Sequence, residues 1–172
     1  ISLLAIVFGT NMFHYIVSEP SMSHIYSFAF VNLFVYSFLK YFKTNETRYF
    51  LLGTFALSII ILIRPVNILV ILSLPFLAQK LEIFSKGMKY LIQNWKVLII
   101  GVVLFTSLVI IQLIVYKIQT GKFFIYSYNN EGFNFLDPHL IDFMFSYKKG
   151  FFIYTPILFL SMFGLIYLYK DK

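Results

Sequence analysis

The chain has 172 residues, of which 60% are hydrophobic and only 12% charged, with a formal net charge of +7 and a mean hydropathy of +0.83. Soluble domains carry about 25% charged residues because their surfaces must face water, so this composition excludes an ordinary soluble domain, a disordered chain and, despite the positive balance, a nucleic-acid module. It leaves an all-α polytopic membrane protein, with 22 Phe and 13 Tyr suited to lipid contact and membrane interfaces, and no cysteine for a disulfide or a thiolate metal site.

From the N-terminus, the first apolar run is Ile1–Gly9. No basic stretch precedes it, so it does not read as a signal peptide. The expectation is that residues 1–172 form a single transmembrane domain, a fragment of a longer chain that lacks its N-terminal part and is inactive alone. A polar cluster follows at Thr10–His24, with His14, Glu19, His24 and three serines between Ser18 and His24. Pro20 breaks any helix there, and Ser21 or Ser23 is placed to cap the next span. Glu19 either favours that helix start through the dipole or serves as a functional acid. The spacing of His14 and His24 does not by itself define a metal pair. The next span, Ile25–Leu39, reaches crossing length with Tyr41 and Phe42 if Lys40 snorkels to the headgroups. Hydrogen bonds between helices account for the single polar residues Asn32 and, further on, Gln112.

Two shorter apolar runs, Tyr49–Ile63 and Val66–Gln79, flank Arg64-Pro65. One long helix here would leave Arg64 near mid-membrane, at a cost of about 2.5–3.5 kcal/mol. A hairpin turned at Arg64-Pro65 avoids that cost. It also keeps the basic loops on either side, Lys40–Arg48 and Lys80–Lys96, in the cytoplasm, as positive loops prefer. The Asn45-Glu46-Thr47 sequon then lies inside and carries no meaning. Pro65 suits the first turn of a helix. The free N–H groups of that turn, beside Arg64 and Asn67, make a site for a phosphate; alternatively, Arg64 snorkels to the outer headgroups or pairs with Glu19.

Across Lys80–Lys96, Leu81, Phe84, Met88, Leu91, Ile92 and Trp95 recur at steps of three and four, with Lys80, Glu82, Lys86, Gln93 and Lys96 mostly away from them. This pattern predicts an amphipathic helix on the cytoplasmic leaflet, serving as a surface anchor or a partner-binding element. Val97–Tyr116 is a full span. The long outer loop Lys117–Gly150 holds a turn at Asn129-Asn130-Glu131-Gly132 and a short helix to about Ser146, with Asp137 as its N-cap and Pro138 in its first position. Leu140, Phe143 and Met144 dip into the interface, leaving Glu131, His139 and Asp142 to face a ligand. Phe151–Tyr169 completes about six membrane segments, the first truncated. Gly53, Gly101 and Gly164 allow close helix approach. No nucleotide-binding glycine motif, zinc-protease or serine-hydrolase motif and no internal repeat occurs.

Four stretches carry a family resemblance: Gly-Thr-Asn-Met-Phe-His-Tyr (9–15), Glu-Pro-Ser-Met-Ser-His-Ile-Tyr-Ser-Phe (19–28), Arg-Pro-Val-Asn (64–67), and Asp-Pro-His-Leu with Phe-Ser-Tyr-Lys-Lys-Gly-Phe-Phe-Ile-Tyr-Thr-Pro (within 137–156). Together they resemble bacterial integral-membrane glycosyltransferases of the C-type fold, the superfamily of protein O-mannosyltransferases and lipid A aminoarabinose transferases. The resemblance implies a multi-pass protein of the bacterial inner membrane. It implies a polyprenyl-phosphate-linked sugar donor, transfer on the outer face to an acceptor it does not identify, and outer-loop acids that act as base or hold a divalent metal ion. It casts Glu19 as the acid of a later outer loop and Arg64, with His24 and Asn67, as the donor-phosphate site. The first outer loop, which usually carries the key acid, would precede Ile1. On this reading Glu19, Arg64 and His24 line one outward cavity with the 121–150 loop as its lid. Two alternatives remain, a transporter or flippase for a lipid-linked sugar and a non-catalytic membrane assembly subunit.

Overall fold

The computed structural model describes residues 2–124, 138–147, 150–155, 157–158 and 162–164. They are helical, with no strand among them. The chain divides into two compact units, Ile1–Ile25 with Ser127–Lys172, and Tyr26–Tyr126.

The first unit contains the short helices α1 (Ser2–Gly9) and α2 (Met12–Val17). The Thr10 hydroxyl ends the first by donating to the Ile6 carbonyl at 2.6 Å, and it accepts the Met12 N–H at 3.2 Å, so one side chain makes the break between them. The helices α8 (Leu140–Phe145) and α9 (Phe151–Tyr154) belong to the same unit. Phe143 stacks on Phe151 with ring centres 5.8 Å apart, and Phe145 lies 5.6 Å from Phe152. The expected N-cap at Asp137 is corrected here, because α8 starts at Leu140 with His139 at its N-cap in a left-handed conformation (φ 41°).

The second unit is built on α3 (Ser23–Thr44), α4 (Thr47–Ile63), a 3₁₀ helix (Pro65–Ser73), α5 (Leu74–Leu77), α6 (Leu81–Gln93) and α7 (Trp95–Thr120). Two of these, α3 and α7, are long and apolar enough to cross a membrane, and a third span is counted if the bent pair Pro65–Leu77 and Leu81–Gln93 is one. At 1.5 Å per residue they are about 33 and 39 Å long. The shorter α4 ends at Ile63 because Arg64 turns to extended backbone (φ −151°, ψ 111°), and Pro65 restarts the chain as a helix without needing a donor. The nine residues Pro65–Ser73 are wound as a 3₁₀ helix. That winding rises about 2.0 Å per residue, so the 13 residues Pro65–Leu77 extend about 24 Å, close to the ~26 Å of α4. A stretch that is short by residue count thus matches its neighbour in length.

Two further turns use left-handed residues. Asn45 (φ 54°) closes α3, its N–H bonded to the Tyr41 carbonyl at 2.7 Å, a conformation asparagine tolerates better than most residues. This is the structural role of the sequon asparagine. Gln79 (φ 64°) closes α5, and α6 leaves at 113° to the preceding segment. A helix at that bend agrees with the periodicity across Lys80–Lys96.

The core of this unit is aromatic. Phe34, Phe38, Tyr41 and Phe42 of α3 meet Phe50, Ala56 and Ile60 of α4, with Ala78 and Leu91 completing it. The buried hydroxyls do not form a site. Those of Ser37, Thr54 and Ser58 each donate to the carbonyl four residues back, which satisfies them inside their own helices. Asn32 does the same, donating to the Phe28 carbonyl at 2.7 Å; the expected bond between helices is replaced by one within α3, because the side chain is exposed and its own carbonyls are nearest.

Gly53 and Gly101 are where the helices close on each other. A Cβ on Gly53 would lie 2.6 Å from the buried Phe38 ring, and one on Gly101 2.7 Å from Phe50. Among the described residues nothing lies within 4 Å of a Cβ on Gly164. Gly53→Ala and Gly101→Ala are therefore expected to destabilise the protein by about 1–3 kcal/mol each, with Gly164→Ala neutral. Unfolding in detergent measures this; equal stabilities for all three variants would contradict the packing.

Candidate functional site

The polar residues anticipated as functional fall in both units. In the first unit, α2 presents His14, and the turn after it presents Glu19. The Ser18 N–H donates to the His14 carbonyl at 2.8 Å and the Met22 N–H to the Glu19 carbonyl at 3.0 Å, which holds the turn. The Glu19 carboxylate stands 3.9 Å from His14 Nε2, both side chains well exposed. That is an ion-pair distance rather than a hydrogen bond. The carboxylate therefore keeps free lone pairs for another proton or ligand. His24, on the first turn of α3, packs its ring 4.7 Å from Tyr15, and Tyr15 lies 5.8 Å from His14. The two histidines flank one tyrosine rather than converging on a common point. Among the described residues no three His, Asp or Glu side chains gather where they could hold a metal ion.

In the second unit, Arg64 sits at the turn between α4 and the 3₁₀ helix, partly buried and with no ion pair among the described residues. The helix start beside it offers less to an anion than an α-helix would. Pro65 has no N–H, and the Asn67 N–H is spent on the Arg64 carbonyl at 3.0 Å. The Asn67 side chain is also engaged, donating to the Ser27 hydroxyl at 3.2 Å and tying the 3₁₀ helix to α3. Arg64 is thus the main cation of this cluster, and Asn67 positions the turn that carries it.

In the segment 138–147, His139 Nδ1 and Asp142 Oδ2 are 3.5 Å apart across one turn of α8. Glu131, like Asp137, lies outside the described residues. Leu140, Ile141 and Phe143 are well exposed around the pair, as a segment seated in a membrane interface would be.

The sequence placed Lys86 on the polar face of an amphipathic helix and counted Lys89 with the basic loop charge, without bringing the two together at a site. They line a cavity of about 670 Å³ with Asn45. The available signal was their spacing of three residues, which puts both ammonium groups on one side of α6.

The chain matches no family model, no curated protein and no solved structure.

Proposed function

We propose that the chain is the membrane part of a bacterial inner-membrane glycosyltransferase that takes its sugar from a polyprenyl-phosphate donor. The support is the resemblance of the segments around Glu19, Arg64 and 137–156, together with one geometric observation. Arg64 is a partly buried guanidinium at the end of a helical hairpin with no acid paired to it among the described residues. A partly buried guanidinium with no acid beside it keeps its donors free for a ligand, and a phosphate fits them in a two-pronged geometry.

In this reading the basic loops at Lys40–Arg48 and Lys80–Lys96 stay in the cytoplasm. The Thr10–His24 turn, Arg64 and the 121–150 loop then share the outer face, with α6 on the inner leaflet. The acceptor's oxygen bonds to the anomeric carbon of the sugar as the bond from that carbon to the phosphate oxygen breaks. The electron pair leaves with the polyprenyl phosphate, where Arg64 neutralises it, and Glu19 takes the acceptor's proton. A transporter needs ionisable groups buried between its helices. The buried polar side chains among the described residues are Ser27, Ser37, Thr54 and Ser58, which favours the enzyme.

The test uses the whole protein in membrane vesicles supplied with a pool of polyprenyl-phosphate sugars. Release of polyprenyl phosphate is expected, falling at least tenfold in Arg64→Ala and in Glu19→Gln. Wild-type turnover in both folded variants would remove these residues from the site, and no release by the wild type from any donor would remove the enzyme reading.

A further inference from the structure

The helix α6 has three distinct faces. Its inner face, Phe84, Gly87 and Leu91, packs on the end of α3: Leu91 is 3% exposed, the Tyr41 hydroxyl donates to the Gly87 carbonyl at 2.7 Å, and Phe84 lies 5.9 Å from Phe42. Beside it runs a bare apolar face of Leu81, Met88 and Ile92, which Trp95 continues into α7; these are 40–76% exposed. The third face is polar and lines the cavity of about 670 Å³, where Lys86 and Lys89 stand with Ser85, Tyr90 and Gln93 along α6 and Asn45 opposite. Neither lysine has an ion-pair partner among the described residues, although Glu82 also borders the cavity. Leu81 belongs to both the apolar face and the cavity wall.

This is the layout of an amphiphile's binding site rather than of a plain surface anchor. Two ammonium groups three residues apart, with amide and hydroxyl donors around them, complement a phosphate. The uncovered apolar stripe next to them complements acyl chains. An inorganic anion would use only the first feature. We infer that the Asn45–α6 cavity binds the phosphate of an anionic phospholipid headgroup from the leaflet on which α6 lies, its acyl chains running along Leu81, Met88 and Ile92. The site is separate from the sugar-transfer residues, and it rests on the membrane reading alone.

The experiment is native mass spectrometry of the purified whole protein released from nanodiscs of phosphatidylcholine with or without phosphatidylglycerol. The wild type is expected to retain phosphatidylglycerol in preference to phosphatidylcholine. Lys86→Gln with Lys89→Gln is expected to lower that retention about tenfold. Lys80→Gln with Lys96→Gln removes the same charge outside the cavity and is expected to change it less than twofold. Thermal unfolding in neutral detergent with inorganic phosphate separates the two sources of the ligand, and no shift is expected. Equal loss in the two double variants would show a diffuse surface field instead of a site. Retention indifferent to headgroup charge, or stabilisation by inorganic phosphate equal to that by lipid, would overturn the assignment.

Discussion

Arginine in place of Ile110 is expected to block membrane insertion of α7. This helix packs one side, including Gly101, on α4, while Val102, Val103, Ile110, Ile111 and Ile114 on its other faces are exposed. At a water-facing position, such a substitution changes stability by only about 0.5 kcal/mol. At the centre of a bilayer, an arginine costs about 2.5–3.5 kcal/mol on insertion scales, roughly a hundredfold in the insertion equilibrium constant. Ile110 lies near the middle of the 26-residue helix, whereas Ile118 lies near its end and is 79% exposed. Ile118→Arg should therefore insert almost normally, because the long side chain reaches the headgroups. Protease protection of the flanking segments in isolated membranes reads the inserted fraction. Equal insertion of both variants would mean that this face does not meet hydrocarbon.

Tyr41→Ala is expected to be the most destabilising single change in the Tyr26–Tyr126 unit. The ring is fully buried and lies 6.2 Å from Phe38, 5.5 Å from Phe42 and 5.9 Å from Phe50. Removing a large aromatic side chain from such a place costs about 3–5 kcal/mol. Tyr41→Phe keeps the packing and removes only the bond to the Gly87 carbonyl, for about 0.5–1.5 kcal/mol. The two variants differ in what they loosen, since the hydroxyl adds a hydrogen bond from α3 to α6 beside the Phe42–Phe84 contact and the buried Leu91. Thermal unfolding in detergent gives the total effect, and trypsin cleavage at Lys86 and Lys89 reports the release of α6. Equal unfolding of the two variants would show that the ring contributes little, and unchanged cleavage in Tyr41→Phe would show that the hydroxyl does not secure α6.

Much of the helical layout was legible from residue type and spacing. The Arg64-Pro65 break, the helix after Lys80 and the long apolar helices over Ile25–Leu39 and Val97–Tyr116 appear where periodicity, charge and proline placed them, while the segment expected over Phe151–Tyr169 lies partly outside the described residues. The 3₁₀ winding was not legible, because apolar runs are measured in residues and the rise per residue differs between helix types. Asn32 and Asn67 are chemically alike in sequence. One turns back on its own helix and the other reaches Ser27 on α3, a choice set by what each side chain faces. The candidate acid and cation, Glu19 and Arg64, were legible as costly polar groups at span ends. The His14 contact to Glu19 depends on the turn that Ser18 and Met22 hold through the backbone.

By itself the sequence determined a helical protein with segments long and apolar enough to cross a membrane, because hydrophobic content and helical period are properties of residues near one another in the chain. Only the tertiary structure decided that Tyr41 secures α6, that Asn67 is tied to Ser27, and that Asn45 meets Lys86 and Lys89 around one cavity. The first two pairings join residues 46 and 40 positions apart. Such contacts depend on which helix faces meet, and neither residue's immediate neighbours encode that.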